Sequence, residues 1–136
     1  MPQIWSGGET LETGSMSYNR ADNRRLPAVA GHFYPADPRQ LEAMMQDLMG
    51  QSSVNTEGLV KAIIAPHAGF VYSGPIAASA YQTLKVQADS IRRVILLGPA
   101  HRVGFHGIAI SSASAFATPL GDIRVDRLAI DSIRNL

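Results

Sequence analysis

The chain has 136 residues, 46% of them hydrophobic and 17% charged, with a net charge of +1. This balance fits one ordinary folded domain and excludes a disordered or fibrous chain, and near neutrality removes any electrostatic case for nucleic acid or an anionic membrane as partner. Without cysteine there is no disulfide framework and no thiolate nucleophile or ligand, and no apolar run approaches the ~20 residues that span a bilayer, so the cytoplasm is the default compartment.

Residues 1–25 mix Gly, Ser, Thr, Asn, Glu and Arg without helical or strand periodicity, which reads as a disordered leader ahead of a folded part over 26–136. No apolar segment of signal-peptide type occurs there, and Met16 is a candidate start. Asp37-Pro38 then opens a helix, with Asp37 as N-cap and Pro38 in its first turn. Leu41, Met44, Met45, Leu48 and Met49 form one face, and Gly50 closes the helix. A methionine-rich stripe at this spacing is core packing rather than a promiscuous groove. Residues 51–58 are a polar connection.

Residues 60–67, Val-Lys-Ala-Ile-Ile-Ala-Pro-His, read as a strand ending on His67. Tyr72-Ser73-Gly74-Pro75 reads as the start of a helix whose apolar face holds Ile76, Ala77, Ala80, Tyr81 and Leu84. Residues 93–101, Arg-Val-Ile-Leu-Leu-Gly-Pro-Ala-His, read as a second strand, buried on both faces, that ends on His101. With a helix between them the two strands pair in parallel through a right-handed crossover, which brings both imidazoles to the carboxyl edge of one sheet, where α/β folds bind ligands. Residues 108–110 read as a third strand and 122–125 as a short exposed one. Asp126 is placed to cap a last helix over 128–136, which ends without a stop signal, as in a truncated fragment. The expected architecture is α/β, a mostly parallel sheet flanked by helices.

Two neutral imidazoles held together make half of a transition-metal site. On spacing alone His67 and His101 are either metal ligands or strand-end residues held by hydrogen bonds, and a ligand set needs a further partner. His106, five residues past His101, reads as a solvent-facing loop residue, and His32 lines the same cleft or none. A Ser-His-Asp triad through Ser73 or Ser111 lacks the Gly-x-Ser-x-Gly elbow. Gly69 to Gly74 lacks the Lys-Ser/Thr ending of a phosphate loop.

Three motifs carry a resemblance. Pro27-Ala28-Val29-Ala30-Gly31-His32-Phe33-Tyr34-Pro35, Ala65-Pro66-His67-Ala68-Gly69-Phe70-Val71-Tyr72-Ser73-Gly74 and Leu97-Gly98-Pro99-Ala100-His101 occur in the order seen in the MEMO family, called AmmeMemoRadiSam system protein B in microbes. The likeness continues through Thr118-Pro119-Leu120-Gly121 and covers 26–136. It implies a fold like the class III extradiol dioxygenases, with His67 and His101 as metal ligands and Phe33 and Tyr34 beside the cleft. Family members are about twice this length, so the resemblance implies the amino-terminal part of the domain. Two functions follow as expectations. One is an Fe(II)- or copper-dependent oxidoreductase, possessing open coordination sites for dioxygen and substrate. The other is a non-catalytic module that binds a peptide or small molecule in the same cleft, fronted by Phe33, Tyr34 and Tyr72. The microbial family name adds radical SAM and AMMECR-type proteins as expected partners.

Overall fold

A computed structural model describes the backbone of residues 2–6, 9–12, 18–19, 23–54 and 58–134, with side chains over 23–54 and 58–133. It divides into two units, one formed by Met1–Ala28 with Gly98–Leu136, the other by Val29–Leu97.

The first unit holds the strands β1 (Pro2–Ser6), β2 (Glu9–Glu12), β3 (Tyr18–Asn19), β4 (Arg24–Arg25), β5 (Ile108–Ser111), β6 (Ala115–Thr118) and β7 (Gly121–Arg124). Residues 1–25, read above as a leader, thus contribute β1 to β4. One sheet runs β2-β1-β5 with antiparallel pairing, and the other runs β3-β4-β6-β7, in which β4 lies parallel to β6. The β6–β7 hairpin turns at Pro119-Leu120 and restarts on Gly121 with φ of 122°, a conformation open to glycine. The Thr118 hydroxyl closes the turn by donating to the Gly121 carbonyl at 2.8 Å.

Packing in this unit is small and polar. Ala113 and Ala115 are buried, and Arg24 bridges to Asp122 at 3.0 Å. The Arg25 guanidinium lies 5.3 Å from the Phe116 ring centroid. Helix α3 (Arg127–Arg134) starts as expected on Asp126, whose carboxylate accepts from the Ala129 amide at 3.0 Å. Arg127 in turn donates to the Ser111 and Ser112 carbonyls at 2.7 and 2.9 Å, joining the helix to the end of β5.

The second unit is helical. Helix α1 (Pro38–Gly50) has Asp37 as N-cap, accepting from the Gln40 amide at 2.9 Å, and buries Leu41. Helix α2 (Phe70–Gln82) buries Ser73, Gly74 and Ala78. The two helices touch closely: a Cβ on Gly74 would stand 2.8 Å from one Leu48 methyl carbon and 3.3 Å from the other. Ser52, just past α1, donates to Ser79 on α2 at 3.3 Å. A 3-10 turn, Lys85–Ser90, follows α2.

Two expectations need correction. Helix α2 starts at Phe70, ahead of the Tyr72-Ser73-Gly74-Pro75 start read from the sequence, because the Phe70 amide finds its acceptor in tertiary structure, the Phe33 carbonyl at 2.8 Å. Its buried residues are Ser73, Gly74 and Ala78, while Ile76, expected on the apolar face, is exposed. More consequentially, residues 59–67 and 91–100 form no strand, and the expected parallel pair is not present among the described residues. The Val60 amide and carbonyl are both taken by the Gln87 side chain, and Pro66 has no amide to donate. Ile64 is 98% and Leu96 84% exposed. A continuous apolar run is held as a strand only with neighbours on its edges and layers on both faces, and the described residues give these runs neither. The coarse class, mixed α and β, holds.

Candidate functional site

His67 ends the stretch 59–67, which is neither helix nor strand, and immediately precedes the corner from which α2 departs. Gly69 is the N-cap of α2 and makes no side-chain cap bond, so other groups hold the corner. The Ser73 hydroxyl, one turn into the helix, donates to the Ala68 carbonyl at 2.8 Å. From the other side a tight turn at 29–34 approaches. It is closed by the Phe33 amide on the Val29 carbonyl at 2.9 Å and the Gly31 amide on the Tyr34 carbonyl at 2.7 Å, with Gly31 at φ of 81°. Through the Phe70 amide and Phe33 carbonyl this turn is joined to the corner, and a Cβ on Gly69 would come within 3.4 Å of the same carbonyl oxygen. The Tyr34 and Phe70 rings pack 5.7 Å apart, tilted by 45°.

The structure therefore brings together His67, Phe33, Tyr34 and the first turn of α2. Tyr34 is half-buried, whereas Phe33 is 47% and Tyr72 85% exposed, and His67 and His32 are exposed as well. His101 and His106 are exposed in residues 98–107, which belong to the other unit. Among the described residues no three His, Cys, Asp or Glu side chains are grouped so as to hold a metal ion. An imidazole suits a borderline transition metal in kind, and no described group supplies the number of donors that a metal site requires.

Sequence reading missed the bond made by Ser73, which it weighed as a nucleophile and as part of the helix start. Its signal was present: a serine in the first turn of a helix, within reach of a carbonyl four or five residues back. The Gln87 clasp on Val60 carried no such local signal, because it joins residues 27 apart.

The described residues contain no helix long and apolar enough to cross a membrane. Residues 25–136 match the family model described as Memo-like protein. The chain is 42% identical over 103 residues to Protein MEMO1 of Danio rerio and 41% identical over 103 residues to Protein MEMO1 of Homo sapiens, in each case covering 76% of this chain and 34% of the relative. It is 35% identical over 118 residues to a MEMO1 family protein of Methanocaldococcus jannaschii, covering 80% of this chain and 41% of that one. The match thus spans about a third to two fifths of the length of these relatives. The chain belongs to the Memo-like family.

Proposed function

We propose that this chain carries the amino-terminal, metal-ligating part of a Memo-type domain with the α/β architecture of the class III extradiol dioxygenases. In that domain residues 60–67 and 93–97 pair as parallel strands, and His67 and His101 donate two imidazoles to Fe(II) or copper. The observation that carries the reading is the built corner at His67, where a buried hydroxyl and the Phe33 carbonyl fix the backbone directly after an exposed imidazole. Held by His67 and His101, such a metal would supply activation of dioxygen for oxidation of a small organic substrate. The residues of this chain present the two donor nitrogens and supply the Phe33, Tyr34 and Tyr72 surface for the substrate. A cytoplasmic setting, with radical SAM and AMMECR-type proteins as partners, accompanies this reading.

A second reading, uptake of a peptide or small molecule without turnover, is favoured by the exposed aromatic rings of Phe33 and Tyr72 and by the two-donor ligand set. Titration of the purified chain with Cu(II), compared with a His67→Ala, His101→Ala double variant, tests the metal. Two imidazoles hold an ion weakly against water, so the expected result is weak binding that the double variant loses; equal binding by both proteins overturns the proposal. Oxygen uptake with a catechol by the metal-loaded chain joined to the remaining family length separates the oxidoreductase from the passive module.

A further inference from the structure

We infer that Ser73 is a positioning residue for His67, an assignment that rests on the proposed ligand role of that histidine. Serine in a helix ordinarily returns its proton to the carbonyl four residues back. Here that carbonyl, on Gly69, lies 3.4 Å away, while the carbonyl five back, on Ala68, lies 2.8 Å away. The acceptor is therefore outside the helix, in the residue that follows His67. Ser73 is 7% exposed, so its hydroxyl is neither a solvated surface group nor an accessible nucleophile, and a buried hydroxyl without this acceptor would be destabilising.

The opposite side of the corner is closed by the Phe33 backbone, which accepts from the Phe70 amide at 2.8 Å and lies within van der Waals reach of a Cβ placed on Gly69. Held between a helix hydroxyl and a turn carbonyl, the Ala68–Phe70 backbone directly after His67 has its direction set before any ligand arrives. Preorganisation of this kind raises ligand affinity by removing the cost of ordering the donor on binding. It also couples the Phe33–Tyr34 turn to the backbone that follows His67.

The test uses NMR of the whole chain and Cu(II) titration on Ser73→Ala, Ser73→Thr and Ala78→Gly. Removing the hydroxyl is expected to shift and broaden the His67 imidazole resonances, to speed amide exchange at Phe70 about ten-fold, and to weaken Cu(II) binding by a similar factor. Ser73→Thr keeps the donor and should retain the original values. Ala78→Gly weakens the same helix at a buried position but keeps the hydroxyl, and should also leave His67 undisturbed. Should Ser73→Ala fail to fold, Ser73→Cys, of similar volume with only a weak donor, carries the same expectation. Unchanged His67 resonances and Phe70 exchange on loss of the hydroxyl, or equal disturbance by Ala78→Gly, overturn the assignment. Disturbance of His67 by Ser73→Ala alone, with no Cu(II) bound by any form, upholds the positioning role and overturns the metal reading instead.

Discussion

Gln87 holds Val60 by both of its backbone polar groups: the Val60 amide donates to Oε1 at 3.1 Å, and Nε2 donates to the Val60 carbonyl. A side-chain amide here does what a neighbouring strand does in a sheet. It ties the stretch that leads to His67 onto the 3-10 turn after α2.

Truncating this side chain leaves both Val60 groups to find water at a half-buried position. Gln87→Ala is expected to cost about 1–2 kcal/mol, read as a lower urea midpoint followed by circular dichroism. Gln87→Glu should lose at least as much, because the carboxylate keeps an acceptor for the amide but opposes a negative charge to the Val60 carbonyl.

Gly74 sits where α1 and α2 touch, with both Leu48 methyls inside 3.4 Å of a built Cβ. Because both methyls are close, the whole isobutyl group must move rather than one carbon. The packing cost, about 1–3 kcal/mol, outweighs the gain of about 1 kcal/mol from replacing a helical glycine by alanine. Gly74→Ala should therefore destabilise the chain. In a Leu48→Ala background the obstacle is gone, and the same substitution should become stabilising by up to about 1 kcal/mol. A double-mutant cycle by chemical denaturation reads this reversal of sign.

Ile64 and Leu96 are almost fully exposed. Ile64→Lys or Leu96→Lys should therefore change the stability of this chain by less than about 0.5 kcal/mol and raise its solubility by shrinking an exposed apolar patch. In a full-length Memo-like relative, the same substitutions at the aligned positions should cost about 3 kcal/mol or more, as an unpaired charge placed in a buried strand does. Equal, small effects in both proteins would remove the proposed parallel strands.

Local signals made several elements legible from the residues alone. Asp37-Pro38 and Asp126 announce α1 and α3 because a carboxylate cap and its helix lie within three residues of each other. Residues 108–110 and the 122–125 run announce β5 and β7 through β-branched content and alternation, and the motifs around Phe33, His67 and His101, in their order, carried the resemblance to the Memo-like family. Tertiary structure alone decided the start of α2, whose first amide is satisfied by Phe33, a residue 37 positions earlier. It also decided the fate of the two apolar runs. Hydrophobicity says only that such a run belongs away from water, whereas becoming a strand requires hydrogen-bonding neighbours, and those are a property of what surrounds the run. The placement of Ser73 against Ala68 is of the same kind: the residue type permits the bond, and the close approach of helix, corner and turn selects it.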